Sequence, residues 1–383
     1  MRKLSLPELT LVRHLVTGSE PPEQGTPVDW ELVLTCAGYH RLGPLLHEGL
    51  KRSPVEAPSF VATRLQKGFH VELAKAVVRL HHVDALAAAS VRSGRLLCLL
   101  KGAAFTGSLY PNPASRPMAD IDVLVHPGEL AAWESEVEAL GFRHHDASDH
   151  ATCFRHRHTG VFLELHRSLT SSNDYFGIDT ASLLERSLPS GALRTLSHED
   201  HLMHLCLHAS FQHGYRQAAV NACDAHRLVA RPEFDRELFL ARVDTARLAP
   251  WVYGGLCLSH SVFPSNGLAA LANALRDAVP HRLARKLARL DAATGLSPDP
   301  QRATRTPFRR LLWAGDASST LSLLIEVLRP HGEADPSTAS PWIGRAAQLV
   351  WNHCLKIIPL ALMKHAQTFQ RPTPASLGEV RDV

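Results

Sequence analysis

Several common signatures are missing from this chain of 383 residues. Its seven cysteines are widely spaced and form no Cys-x-x-Cys pair, so we expect reduced, mostly buried thiols. No run of about 18 apolar residues occurs, which argues against a membrane-spanning helix. The N-terminal segment contains no apolar core of signal-peptide length. Together these absences predict a cytoplasmic protein.

The chain also lacks a large excess of either sign of charge. The chain has 41 Lys and Arg against 37 Asp and Glu, and a net charge of +4 is too mild to predict a nucleic-acid binder, so we expect no DNA partner. The Gly-x-Ser-x-Gly elbow, the P-loop and the Rossmann fingerprint are all missing. By contrast, the 24 histidines are many, and they could reflect metal binding, catalysis or surface composition.

The pattern of apolar residues predicts an α+β fold, in which helical segments flank a small mixed β-sheet on both sides in sequence. We expect an N-terminal helical segment over 1–93, an α/β core over 94–190, a helical domain over 191–330, and a linker, helix and tail over 331–383. A long helix is predicted over 59–93, with Gly94 as its C-cap. The segment 341–366 could pack on the protein body or lie on a membrane surface.

Short apolar runs and turn residues divide the predicted core. Strands are expected at 95–100 and 119–125, with a short helix at about 103–110 between them. A helix at 129–140 precedes two or three strands over 142–166, with a hairpin turn at 158–160. Further helices are expected at 197–230, 235–263, 266–293, 306–329 and 341–368.

Two aspartates on the second predicted strand carry the strongest chemical signal. Asp120 and Asp122 flank Ile121, so the alternation of a strand places both carboxylates on one face. Like charges in an apolar setting are tolerated when a cation lies between them. Mg²⁺ prefers such oxygen ligands and commonly adds substrate phosphates. We therefore predict that both aspartates are metal ligands and catalytic residues.

A third carboxylate is available on a later strand. In the segment 162–166, FLELH, Glu164 and His166 share a face with Phe162. If this strand pairs beside the Asp120 strand, Glu164 joins the two aspartates as a catalytic metal ligand, and the three carboxylates should converge. Such a set could hold two Mg²⁺ ions for phosphoryl transfer. His166 is a candidate phosphate contact, although an exposed hairpin histidine is an alternative.

Phosphate binding has candidates at the junction between the first strand and its helix. Gly102 would allow the backbone to approach a ligand closely. Lys101 and Arg116 could neutralise phosphate oxygens. We therefore expect Lys101, Gly102, Arg116 and His166 to contact a nucleoside triphosphate.

These residues resemble a known family. The order LLKG (99–102), RPMADIDVLV (116–125) and FLELH (162–166) is similar to the polymerase-beta type of nucleotidyltransferase. Within that superfamily it resembles an uncharacterised bacterial nucleotidyltransferase family called NTP_transf_5, over roughly residues 30–230. The stretch HRLGPLL (40–46) and a helix with spaced histidines also resemble that family.

The resemblance implies an enzyme that transfers a nucleoside monophosphate from a nucleoside triphosphate to an acceptor and releases pyrophosphate. It also implies that Asp120 and Asp122 bind Mg²⁺ and that Glu164 is the third carboxylate of the site. The acceptor could be a small molecule or a peptide. Alternatives are a nucleotidylating antitoxin, a peptide-tailoring enzyme, or a degenerate nucleotide-binding or interaction module. The sequence does not identify the triphosphate or the oligomeric state.

One departure from the superfamily concerns the phosphate turn. A Gly-Ser or Gly-Gly pair usually stands where this chain has Lys101 and Gly102. The pair Gly107-Ser108 is an alternative, but it is expected to fall inside the short helix, so Gly102 is preferred.

The histidines on the helix after residue 197 leave two interpretations open. His201, His204 and His208 recur at helical spacing, and His213 follows them. They could line the cleft beside the carboxylates, or they could be ordinary exposed or core residues. A zinc site on His204 and His208 is disfavoured because no His-Glu-x-x-His motif or cysteine partner is present. Asp224 could likewise line the cleft or be an ordinary exposed or core residue.

Overall fold

The computed structural model describes residues 4–148, 150–170, 176–215 and 218–290, together with positions 292 and 296. These residues form a mixed α+β fold in which helices precede and follow a seven-stranded sheet, as the sequence predicts. The helices predicted at 306–329 and 341–368, including the amphipathic segment 341–366, lie outside the described residues. No helix in the described part is long and apolar enough to cross a membrane.

Four helices lie N-terminal to the sheet: α1 (Leu6–Thr17), α2 (Trp30–His40), α3 (Gly43–Arg52) and α4 (Ser59–Ser93). The prediction for α4 is confirmed at both ends. Gly94 ends α4 in the left-handed conformation, with φ of 67°. Gly18 ends α1 in the same way, with φ of 74°. The apolar residues of α1–α3 belong to the same core as those of the sheet, so these helices pack on the body that carries the strands.

The sheet contains β1 (Cys98–Leu99), β2 (Asp120–Leu124), β3 (Phe142–Ala147), β4 (Ala151–His156), β5 (Phe162–His166), β6 (Leu188–Ser190) and β7 (Leu193–Thr195). Their order is β3-β4-β5-β2-β1-β7-β6. The pairs β2–β5 and β1–β7 are parallel, and the other neighbours are antiparallel. The sheet thus includes β7, which follows the predicted end of the core at residue 190.

The first strand and helix are shorter than predicted. β1 has two residues, and α5 (Lys101–Phe105) begins directly after Leu100. The chain then forms a tight turn, closed by a bridge between Thr106 and Tyr110 and by Gly107 at φ 84°. The expectation that Gly107 lies inside a helix is therefore wrong, because α5 ends before it.

One face of β2 and β5 is apolar and buried. Ile121, Val123, Leu163 and Leu165 are fully buried in the core. Each such side chain contributes about 1.5–3 kcal/mol by leaving water. Packing of this face, partly against α6 (Leu130–Ala139), leaves the opposite face of the same two strands for polar residues.

The C-terminal helices are α7 (Thr180–Glu185), α8 (His198–Leu207), α9 (Ala219–Leu228), α10 (Arg236–Thr245), α11 (Ala249–Val262), α12 (Asn266–Leu275) and α13 (His281–Leu287). The helix predicted over 197–230 is interrupted, because a π-helical segment, His208–Gln212, follows α8 directly. π-helical turns occur frequently at functional sites. Cys98, Cys206 and Cys223 are buried free thiols, as the sequence predicts.

Candidate active site

Parallel pairing of β2 with β5 positions the predicted carboxylates. The register places Asp122 opposite Glu164 and Leu124 opposite His166. Since side chains alternate along a strand, Asp120, Asp122 and Glu164 project from one face, opposite the apolar face of the core. Asp122 is buried, whereas Asp120 and Glu164 are half-buried.

A compact polar cluster forms on this face. Asp122, Glu164 and His166 each offer one ligand atom, and these atoms lie within 4.8 Å of one another. His166 Nε2 lies 3.0 Å from Asp122 Oδ1 and 3.3 Å from Glu164 Oε2. Lys101 Nζ donates to the same Asp122 oxygen at 3.1 Å. Asp122 Oδ1 is therefore held between a lysine and a histidine, and Asp120 lies beside this cluster.

The two aspartates have opposite electrostatic properties. Burial raises the pKa of Asp122, but the charge of Lys101 and the hydrogen bond from His166 outweigh it and hold that pKa well below its usual range. Burial and the negative charge of Asp122 raise the pKa of Asp120 to about 6. The carboxylate site therefore carries an excess of negative charge that Lys101 offsets only in part.

His166 is a buried link between the two strands. Burial lowers its pKa, but its hydrogen bonds to Asp122 and Glu164 outweigh that effect and leave the pKa raised. Its other ring nitrogen, Nδ1, is buried without a hydrogen-bond partner among the described residues. The hydrogen bonds that orient His166 are therefore those of Nε2 to the two carboxylates.

A cleft of about 330 Å³ opens above Asp120 and Asp122. Its lining combines cations, carboxylates and imidazoles: Tyr39, Arg41, Lys101, Gly102, Arg116, Met118, Ala119, Asp120, Asp122, His208, His213, Ala218 and Asn221. Glu164 instead lines a smaller cavity of about 220 Å³ on the β4 side. The site therefore has openings on both sides of the carboxylates.

Lys101 and Gly102 lie at the base of the cleft. A Cβ on Gly102 would come within 2.5 Å of Met118 Cγ, so close packing explains this glycine. Lys101 has φ of 45°, in the left-handed region that disfavours side chains with a Cβ. Residues in such conformations cluster at functional sites. The alternative Gly107 is not among the residues that line the cleft.

Arg116 is at the wall of the cleft, but its charge is balanced. Its Nε and Nη2 donate to both oxygens of Asp224, with the shortest distance 2.6 Å. The remaining donors reach Asn221 Oδ1 and the carbonyl of Pro117. Arg116 and Asp224 are both buried, and they fasten the loop before β2 to α9. Among the lining residues, this leaves Lys101 and Arg41 as the cations that face the cleft.

The spaced histidines divide into two groups. His208 and His213 line the cleft, with their Nε2 atoms 3.0 Å apart. His201 and His204 are buried; His201 packs on Phe105, and neither ring nitrogen of His204 has a hydrogen-bond partner in the described part of the chain. Burial, followed by the charge of Lys101, lowers the pKa of His204 and of His208 well below the usual value. Both shifts favour the neutral form of these two imidazoles.

The structure also adds residues that the sequence did not single out. Tyr39, Arg41 and Asn221 line the cleft, although they lie far from β2 in sequence. Arg41 directly follows α2 in a left-handed C-cap conformation, which turns the chain at the edge of the cleft. Its position in the stretch HRLGPLL (40–46) was the available signal.

Comparison with known families gives one match to the sequence. A family model, NTP_transf_5, described as an uncharacterised nucleotidyltransferase, matches residues 26–264. That range includes α2, both carboxylate-bearing strands and the histidines of the cleft. No curated protein and no solved structure shows significant similarity to the chain.

Proposed function

Because the chain belongs to this uncharacterised nucleotidyltransferase family, we propose that it transfers a nucleoside monophosphate from a nucleoside triphosphate to an acceptor, with Mg²⁺ as cofactor and pyrophosphate as the leaving group. The observation that carries the proposal is the shared face of β2 and β5, where Asp120 and Asp122 line a cleft and Glu164 lies opposite Asp122.

The donor set fits a hard divalent cation. No hydrogen bond among the described residues reaches either oxygen of Asp120 or the second oxygen of Asp122. Burial and, after it, the negative charge of Asp122 raise the pKa of Asp120, and a bound cation would offset that repulsion. Asp120, Asp122 and Glu164 would hold Mg²⁺, which, when bound, neutralises phosphate charge and favours attack by an oxygen nucleophile.

In the proposed reaction, an acceptor oxygen forms a bond to the α-phosphorus while the bond from that phosphorus to the bridging oxygen breaks. The pair of electrons leaves with pyrophosphate, and the acceptor proton passes to Glu164. Lys101 and Arg41 are placed to meet phosphate oxygens, and the imidazoles of His208 and His213 supply hydrogen-bonding groups. Positioning and charge neutralisation provide the rate acceleration.

Pyrophosphate release tests the proposal. Purified protein is supplied with Mg²⁺, each of the four triphosphates and a cell extract as the source of acceptor. We expect Asp122→Asn to lower the rate by about 100-fold or more, because it removes a charge that acts on the reacting phosphates. The matched control is Asp84→Asn, an exposed carboxylate on α4 that does not line the cleft.

Equal pyrophosphate release by the wild type and Asp122→Asn would contradict the carboxylate mechanism. Mass spectrometry of the same reactions identifies whatever gains the mass of a nucleoside monophosphate. A labelled protein or peptide would favour the antitoxin or peptide-tailoring alternative. Binding of a triphosphate by both proteins without any turnover would favour the degenerate nucleotide-binding module.

A further inference from the structure

A second and larger cavity, of about 610 Å³, adjoins the carboxylate cleft. It lies between α2, α4 and the chain that enters β2, and it shares Arg41, Met118 and Ala119 with the cleft. Its walls are largely apolar, with Leu34 and Leu65 among the lining residues. A molecule in this cavity would therefore lie against the entrance to Asp120.

Two helical glycines keep this cavity open. Gly38 lies in α2 and Gly68 in α4, and both line the cavity. Neither has a positive φ, and a Cβ on either would meet no atom within 4 Å. A glycine inside a helix costs about 1 kcal/mol relative to alanine. Neither backbone geometry nor packing requires these glycines, and the lack of a side chain at both positions leaves room for a ligand in the cavity.

The rim of the cavity carries an excess of positive charge. Five cationic side chains line it, and Glu72 is the one acid among the lining residues. Two of the cations are paired, Arg64 with Glu31 and Lys75 with Glu72. No ion pair within the described residues engages Arg41, Lys67 or Arg79. Because Arg41 also lines the carboxylate cleft and is assigned to the triphosphate there, Lys67 and Arg79, hereafter the unpaired rim cations, are the two charges available to an anion in this cavity.

Arg79 links the rim to the catalytic face. It donates to the carbonyl of Ala119, the residue before Asp120, and its Nε is buried without a partner among the described residues. Burial lowers the pKa of Arg79, and the charge of Asp120 is among the groups that act on it. An anion bound beside Arg79 would thus be fixed next to the first carboxylate.

We propose that this cavity binds the acceptor substrate, and that the acceptor is a small molecule with an apolar skeleton and a carboxylate or phosphate group. The inference rests on the proposed nucleotidyl transfer and names its acceptor class. A nucleobase and its ribose carry no charge, so a nucleoside would leave the unpaired rim cations without a partner. An anionic acceptor uses both the apolar walls and the cations.

The test uses two fluorescent probes that share an apolar skeleton. The first is the anion 8-anilinonaphthalene-1-sulfonate, and the second is the neutral N-phenyl-1-naphthylamine. Binding of Mg²⁺ with α,β-methylene-ATP, which cannot release pyrophosphate, is measured in parallel by calorimetry. Variants are the cavity-filling Gly68→Phe and the double charge variant Lys67→Gln with Arg79→Gln. Their matched controls are Ala74→Phe on the same helix and the exposed Arg52→Gln.

We expect Gly68→Phe to weaken binding of both probes at least about tenfold, because it fills the space they occupy. The double charge variant should weaken binding of the anionic probe about fivefold to tenfold, because it removes two partly exposed charge contacts. Its affinity for the neutral probe should change less than about twofold. Binding of the ATP analogue should be retained in every variant, and the two controls should match the wild type.

Anionic-probe binding that neither variant changes would overturn the proposal. Loss of ATP-analogue binding in Gly68→Phe, with a normal urea unfolding midpoint, would also overturn it, because the cavity would then hold the nucleoside. If the wild type binds no ATP analogue while the charge-dependent probe binding persists, the proposed nucleotidyl transfer fails and the anion site stands.

Discussion

Replacing Asp224 with asparagine should be among the most destabilising single changes near the cleft. Asp224 and Arg116 are 0% and 3% exposed, and the carboxylate accepts hydrogen bonds from Arg116 and from the hydroxyl of Tyr110. Asp224→Asn keeps the shape of the side chain and removes its charge. The Arg116 guanidinium would then be buried without a counterion.

Breaking a buried ion pair by removing one partner costs about 3–5 kcal/mol, because the other charge stays buried and uncompensated. We expect the lower half of that range, about 3–4 kcal/mol, since an asparagine oxygen can still accept from Arg116 and Tyr110. Both groups are almost fully buried, so solvent screening reduces the effect little. Arg116 also donates to Asn221 and to Pro117, which spreads its charge over neutral partners.

Urea unfolding followed by circular dichroism measures the change in free energy of unfolding. Glu31→Gln is the matched control, since its pair with Arg64 has both side chains more than 60% exposed and should cost less than about 1 kcal/mol. Adding Arg116→Met to Asp224→Asn should recover much of the loss. A loss below about 1 kcal/mol in Asp224→Asn would refute the assignment of this pair as a buried, mutually dependent contact.

Four further outcomes follow from packing, burial and helix capping, each measured by urea unfolding. Gly49→Ala should destabilise by about 1–3 kcal/mol because its Cβ would come within 2.1 Å of the carbonyl oxygen of Leu15, whereas Gly68→Ala should stabilise by up to about 1 kcal/mol. Burial lowers the pKa of His40 to about 4, so the unfolded state binds a proton at this histidine before the folded state does as pH falls. The free energy of unfolding should therefore decrease by about 2 kcal/mol between pH 7.5 and 5. This decrease should be absent in His40→Gln. Ser265→Ala removes the oxygen that caps α12 and should cost about 1 kcal/mol. A stabilising Gly49→Ala, a pH dependence unchanged in His40→Gln, or a neutral Ser265→Ala would contradict the respective argument.

Local patterns in the sequence were enough for the elements that depend on local physics. The apolar spacing of α4 and Gly94 at its end predict the helix and its limit, because helical period and left-handed caps are short-range properties. Likewise, the alternation around Ile121 predicts which face of β2 carries the aspartates. The sequence did not predict that β2 pairs with β5. The prediction for Glu164 assumed this pairing, because strand pairing depends on tertiary structure.

Contacts between distant segments account for what the sequence did not predict. Arg116 is a plausible phosphate ligand by composition, but its partner Asp224 lies 108 residues away, and only the packing of α9 reveals that its charge is balanced. Similarly, the stretch HRLGPLL (40–46) points to the family but does not show that Arg41 lines the cleft. The shortness of α5 and the π-helical turn after α8 also depend on surrounding packing, which overrides local helix preference.

The two faces of β2 and β5 have different roles: one stabilises the fold, and the other carries the candidate catalytic residues. Ile121, Val123, Leu163 and Leu165 hold the register from the buried side, and a slip by one residue would expose all of them. The carboxylates lie on the other side, where His166 of β5 contacts Asp122 and Glu164. The apolar face is enough to specify how the two strands pair, so a shared fold alone says little about turnover. Under the proposed mechanism, the amino acids at positions 120, 122 and 164 would distinguish an active protein from an inactive one with the same fold.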